Sequence, residues 1–227
     1  MGKPEFLELL AFSLGPVHVG ATVLTTWLLM AVLAGLAWFG TRRLSTIAPT
    51  RLQTALEGVV LALQGAIESA APGHATRLLP FVGTLWLFIG AANLVGLVPG
   101  LRSPTSDLSL TVALAMLVFL SVHWFGIRID GLRPYLRHYL EPNPILLPFH
   151  LLGEITRTLA LAVRLFGNMM SLEMAALLVL LVAGFLAPVP LLMLHIVEAL
   201  VQAYIFGMLA LVYVAGALQS REVRNEE

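Results

Sequence analysis

The sequence predicts an all-α, polytopic membrane protein with five transmembrane helices and one interfacial amphipathic helix, ending in a long, strongly tilted helical hairpin. Three observations lead there. Apolar residues make up 59% of the 227-residue chain and charged residues only 11%, with a mean hydropathy of +0.90. A soluble domain carries about a quarter charged residues, so these are too few to cover a globular surface and lipid must solvate part of it. Four apolar stretches reach the roughly 20 residues that a helix needs to cross a bilayer core, and the last is long enough for two helices. The whole chain, 1–227, reads as a single membrane domain.

Residues 17–39 are the first expected span. The run is too long for a typical signal-peptide core and no small-residue cleavage site follows it, so it reads as retained. Residues 50–70 follow a different pattern. Leu52, Leu56, Val59, Val60, Leu63 and Ile67 recur at helical spacing, with Arg51, Glu57, Gln64 and Glu68 between them. That suits a helix lying in the membrane interface; a soluble amphipathic helix packed on another subunit would show the same pattern. Residues 78–98 and 108–127 are the second and third spans. The long region from 145 to 218 is interrupted at Ala183-Gly184-Phe185-Leu186-Ala187-Pro188-Val189-Pro190, where glycine and two prolines mark a turn. It therefore divides into 145–183 and 188–218, a hairpin. Its first arm, 39 residues, would be about 58 Å long, which fits a bilayer only at a tilt of roughly 55–60°.

Basic residues set an orientation. With five spans and the N-terminus outside, the cytoplasmic segments hold Arg42, Arg43, Arg51, Arg77, Arg128, Arg133, Arg137, Arg157, Arg221 and Arg224, while the outside holds Lys3 and Arg102. This ten-to-two split follows the positive-inside rule and puts the C-terminus in the cytoplasm. The thirteenth basic residue, Arg164, lies inside an apolar helix.

A charge at bilayer depth costs at least about 2.5 kcal/mol and persists where it faces protein or water. In an antiparallel hairpin, facing residues have a nearly constant index sum. Arg164 with Gln202 and Asn168 with Glu198 share one sum, and Glu173 with His195 nearly matches it, all centred on the Ala183-Gly184 turn. His195, Glu198 and Gln202 lie on one face of the second helix. Arg164 and Asn168 are neighbours on the first, with Glu173 about half a turn round from Arg164. The pattern suggests a fixed charged stop and a polar path approaching it. Single intramembrane amides commonly only join helices. An arginine, two glutamates and a histidine in one hairpin point further, since histidine with glutamate can carry protons near neutral pH. Arginine does not deprotonate; it would block a proton wire and favour ionisation of a passing carboxylic acid.

At these residues a family resemblance emerges. Arg164-Leu165-Phe166-Gly167-Asn168-Met169, followed by Gln202-Ala203-Tyr204-Ile205-Phe206, resembles the a subunit of bacterial F-type (rotary) ATP synthases. Asn93-Leu94-Val95-Gly96-Leu97-Val98-Pro99-Gly100 and Pro104-Thr105-Ser106-Asp107 resemble the family's earlier span and following loop. The resemblance implies a subunit of the bacterial inner membrane, without catalytic chemistry of its own, set beside a ring of c subunits that each carry one carboxylate. Peripheral-stalk b subunits and the remaining synthase subunits are the other implied partners. By the same resemblance, Arg164 would separate two half-channels with Gln202 facing it. Glu173 and His195 would line the outer half-channel, Asn168 would lie between, and the tilted hairpin would follow the ring's wall. Asp107 matches an acidic position of the family loop and equally suits a helix cap. Several positions depart from the common pattern. Thr158 follows Arg157 where proline is frequent, Glu198 is an additional acid, and Met170-Ser171 replaces small residues. With Glu154-Ile155-Thr156-Arg157 these features resemble the laterally transferred N-type ATPases, which leaves the coupling ion open between proton and sodium.

Other classes fit less well. A net charge of zero gives no footprint for nucleic acid. The absence of cysteine removes disulfides and thiolate metal sites, and neither a metal nor a cofactor is expected. A haem-binding membrane cytochrome needs paired intramembrane histidines, whereas His18, His74, His123, His138 and His150 fall near span ends or outside, leaving His195 alone. An intramembrane protease would need paired aspartates or a nucleophile with a base, and the aspartates are Asp107 and Asp130. No Walker motif is present. A self-contained secondary transporter is the remaining alternative, although no internal repeat is evident.

Overall fold

The computed structural model describes residues 12–14, 17–42, 44–45, 49–98, 101–131, 147–184 and 189–219. Among these are six α-helices: α1 (Ala21–Thr41), α2 (Arg51–Ala70), α3 (Ala75–Val95), α4 (Leu108–Asp130), α5 (Leu147–Ala183) and α6 (Val189–Gln219). All except α2 are long and apolar enough to cross a membrane. The fold is therefore the expected all-α, polytopic one. A 3-10 turn, Pro104–Ser106, leads into α4.

The first expected span starts later than its apolar run. Residues 17–19 are strand β2 (Val17–Val19), antiparallel to β1 (Phe12–Leu14) with Phe12 opposite Val19. The intervening Gly15-Pro16 is a turn signal and Val17-His18-Val19 alternates as strands do, so strand pairing replaces the first helical turn. Helix α1 begins after Gly20, whose backbone is extended. It is the most peripheral span, with Thr25 its one buried residue. Its Thr22 hydroxyl donates to Asp107 Oδ2 at 2.8 Å, tying it to the start of α4.

Helix α2 starts at Thr50, whose side chain accepts from Gln53 N, satisfying one of the orphan donors of a helix N-terminus. Ile67 is fully buried near its end, while Leu52, Leu56, Val59, Val60 and Leu61 remain exposed.

The other four helices form the body. One core joins Leu85 and Ile89 of α3, Leu114 and Val118 of α4, Leu165 and Met169 of α5, and Phe206 of α6. A second joins Ile67 to Leu78, Val82 and Trp86 of α3 and Leu211 and Val214 of α6. Membrane helices pack through close contact and small residues rather than by escaping water, and Gly207 shows how. A Cβ there would run into the Trp86 indole. With hydrogen in its place, the ring lies against α6 and its Nε1–H donates to Tyr204 O at 3.2 Å.

Helix α5 packs mainly on α4, and α6 mainly on α3. Helix α5 closes at Gly184, whose φ of +83° is the left-handed conformation that glycine adopts without penalty. Residues 185–188 of the expected turn lie outside the described residues. So do Lys3, Arg43, Arg133, Arg137, Arg221 and Arg224 of the charge count, and His138.

Candidate functional site

The site is built where α3, the 3-10 turn and the middles of α5 and α6 meet. Arg164 lies on an exposed face of α5, beside Val163 (58% exposed). No hydrogen bond or ion pair holds it among the described residues. One turn further along, Asn168 Nδ2 donates to Gln202 Oε1 of α6 at 2.7 Å. Gln202 is buried, and its own amide nitrogen has no partner among the described residues.

This corrects the facing pairs expected from sequence. Gln202 bonds Asn168 rather than facing Arg164, a shift of one helical turn. Asn168 consequently does not pair with Glu198, and Glu173 does not pair with His195. The index-sum rule assumes two helices packed chiefly on each other. Here α3 and the 3-10 turn pack against the hairpin arms and take over their polar partners.

The carboxylate of Glu173 accepts from Ser103 N at 2.9 Å. His195, 3% exposed, places Nε2 3.3 Å from Asn93 O. A carbonyl only accepts, so this contact is a hydrogen bond when Nε2 carries hydrogen. Asn93 is fully buried at the centre: its Nδ2 donates to Ala199 O at 3.0 Å and its Oδ1 accepts from Thr105 Oγ1 at 2.6 Å. Ser103 Oγ donates to Ala92 O at 2.9 Å and also lies 2.6 Å from Thr105 Oγ1. Two hydroxyls thus serve three short contacts, and each has one proton to give. The chain from Glu173 through Ser103 and Thr105 to Asn93 and His195 is a continuous polar seam between the helices. Close packing keeps it tight: a Cβ on Gly96 would come 3.1 Å from Glu173 Oε1 and 3.2 Å from Ser103 Cβ.

In the sequence Asn93 and Thr105 stand out only as members of the Asn93–Gly100 and Pro104–Asp107 motifs. An intramembrane asparagine was the available signal. Glu198 is half-buried and makes no hydrogen bond among the described residues. Asp107 caps α4, accepting from Ser109 N at 2.9 Å and Ser109 Oγ at 2.7 Å besides Thr22. Partial burial raises its pKa, but the Ser109 and Thr22 hydrogen bonds outweigh that and hold the carboxyl below its ordinary value. No hydrogen bond joins it to Glu173, Glu198 or His195. A smaller cluster joins α4, α5 and α6, where His123 Nε2 is 3.3 Å from Glu154 Oε2 and the Arg157 guanidinium lies 4.6 Å from the Tyr213 ring centre.

A family model described as ATP synthase A chain matches residues 23–215. The chain belongs to that family. Its curated relatives include ATP synthase subunit a 2 of Pelobacter propionicus, 70% identical over 214 residues covering 94% of this chain and 93% of the relative. ATP synthase subunit a 1 of Hahella chejuensis is 64% identical across 91% of this chain and 87% of the relative. ATP synthase subunit a of Legionella pneumophila (strain Corby) is 54% identical across 100% and 98%. Membership, with five apolar spans, makes the chain a multi-pass, membrane-sector subunit of a bacterial F-type ATP synthase, not itself catalytic.

Proposed function

We propose that this subunit carries protons or sodium ions between two offset half-channels and the carboxylates of a c-subunit ring, with Arg164 as the separator. The observation that carries the reading is the position of Arg164. It stands exposed on an apolar helix, next to the pair formed by half-buried Asn168 and buried Gln202. A bare guanidinium in lipid is too costly to leave uncovered. A moving surface that brings carboxylates to it resolves the cost. As each carboxyl arrives, the cation favours its ionised form and the ion leaves. Because arginine keeps its proton, no continuous wire passes it.

The outer path in this reading runs along the Glu173, Ser103, Thr105, Asn93 and His195 seam toward Asn168, with Glu198 beside it. Asp107 serves as the cap of α4. Gln202 acts through Asn168, by fixing the helix register next to Arg164. The N-terminus lies outside and the C-terminus in the cytoplasm of a bacterial inner membrane, by the ten-to-two basic split. At 37 residues, α5 is about 55 Å long, and a strong tilt against the ring accommodates it. Peripheral-stalk b subunits and the rest of the synthase complete the assembly.

The test uses assembled complexes reconstituted in liposomes, with ATP-driven pumping and passive ion flux measured together. Arg164→Ala should abolish pumping and synthesis and open a passive leak while the ring stays bound. Arg164→Lys should not restore coupling, because lysine lacks the planar fork and loses its charge readily when desolvated. Normal pumping by the Arg164→Ala complex would refute the mechanism.

A further inference from the structure

We propose that His123 and Glu154 are positioning residues for Arg164: sharing one proton, they latch the first third of α5 to α4. The inference rests on the reading of Arg164 as the separator. From Pro148 to Ala160, only Glu154 and Thr158 of α5 are not exposed, and the first buried residues are Leu161 and Ala162. Apolar packing therefore does little to hold this stretch, and segments with few buried contacts open most readily. Thr158 gives its hydroxyl proton to Glu154 O at 2.9 Å, within α5 itself. Polar contacts reach the neighbouring helices instead. Glu154 Oε2 lies 3.3 Å from His123 Nε2 of α4, and the Arg157 guanidinium lies 4.6 Å from the Tyr213 ring centre of α6. Arg164 follows Arg157 by seven residues, on nearly the same face of the helix and about 10 Å along its axis. Any rotation of the first stretch is carried by the helix to Arg164.

The geometry calls for a proton in the pair. His123 Nδ1 is 2.8 Å from Phe119 O, one turn back in α4. A carbonyl only accepts, so this contact is a hydrogen bond when Nδ1 carries hydrogen. With Nδ1 so used, a neutral imidazole turns only a lone pair toward Glu154, and a carboxylate also only accepts. Two acceptors at 3.3 Å repel. One proton between them turns the repulsion into a tie, as imidazolium with carboxylate or as imidazole with carboxylic acid. The Phe119 ring packs on the imidazole, 4.4 Å between centres. A cavity of about 20 Å³ beside the pair has room for one water, through which the proton can exchange. Arg157 of α5 and Tyr213 of α6 are the other charged or titratable groups lining that cavity among the described residues. Arginine keeps its proton, so the contact between these two does not change with the latch. The latch is closed while the pair holds its proton and opens as rising pH removes it.

The test follows helix position and coupling together in the assembled complex, across a range of pH. The chain has no cysteine, so spin labels on cysteines introduced at the exposed Leu120 and Leu151 report the distance from α4 to α5 by paramagnetic resonance. ATP-driven pumping is measured in liposomes. Glu154→Gln keeps the bond, because its amide donates to Nε2 without a shared proton; Glu154→Leu removes it. The wild-type distance distribution should be narrow at low pH and broad at high pH, that of Glu154→Gln narrow at both, and that of Glu154→Leu broad at both. Pumping by the wild type relative to Glu154→Gln should fall on the order of tenfold from low to high pH, and Glu154→Leu should be as low throughout. Identical pH profiles for wild type and Glu154→Gln would overturn the shared proton. An unchanged distance in Glu154→Leu would overturn the latch. Distances that respond while pumping does not would overturn the positioning of Arg164. The Arg164→Ala complex, run alongside, separates the two ideas: normal pumping there refutes the separator, whereas lost pumping there with an unresponsive distance refutes the latch alone.

Discussion

Replacing Gly207 with alanine tests how α6 is seated. The added Cβ meets the Trp86 indole directly, and a ring 6% exposed between α3 and α6 has little room to retreat. Overpacking a close-fitted site costs typically about 1–3 kcal/mol. Moving the ring also breaks the 3.2 Å bond from Nε1 to Tyr204 O and strands a buried indole N–H, worth about another 1–3 kcal/mol. We expect a combined loss of about 3 kcal/mol, read as a lowered thermal midpoint of the solubilised complex on native gels. The Trp86→Leu background removes both the obstacle and the donor. There, Gly207→Ala should cost less than about 1 kcal/mol, a coupling that a double-mutant cycle isolates. Equal costs in the two backgrounds would show that the indole does not determine how α6 sits, and the reasoning would fail.

Three further outcomes follow from the same geometry. Asp107→Ala should lose an N-cap worth about 1 kcal/mol. Because its folded pKa is lowered, the wild-type contribution is present above the ordinary value of 3.8 and lost as pH falls through the depressed one, so acid titration of thermal stability should show a loss below that value that the variant lacks. Asn93→Leu should destabilise the complex by about 1–2 kcal/mol by stripping partners from Thr105 and Ala199, and should slow ion-driven synthesis; unchanged rates in stable complexes would remove the seam from the path. Cysteines at the exposed Ser69 and Val98, on either side of α3, should react with an impermeant reagent from opposite faces of the membrane, and labelling from one face alone would contradict the orientation.

The apolar runs made the fold class legible, because crossing a bilayer demands a length of hydrocarbon that composition alone reveals. Start points were less so: Val17 is as apolar as any span residue, yet it pairs in a strand. At the site, the kinds of residue were legible and their partners were not. Arg164, Asn168, Glu173, His195 and Gln202 stand out in the sequence because charge and amide groups are rare in such helices. Their pairing was off by a turn because hairpin arithmetic cannot include Asn93 and the 103–105 turn, which come from a distant part of the chain. Ser103 follows Arg102, which the charge pattern places outside, yet it is buried at 2% exposure.

The Ser103–Thr105 contacts carry a consequence resembling that of ice. Ser103 can direct its proton to Thr105 while Thr105 directs its own to Asn93, or Thr105 can direct its proton to Ser103 while Ser103 gives its own to Ala92 O; two protons, or none, between oxygens 2.6 Å apart is unfavourable, which leaves two arrangements. Two proton arrangements are therefore compatible with one set of heavy-atom positions. Rotation of the two hydroxyls together converts one arrangement to the other without moving a helix, so the seam can reverse its polarity while the scaffold stays in place. Thr105→Val would freeze Ser103 on Ala92 O and leave a seam of the same shape with a single permanent direction.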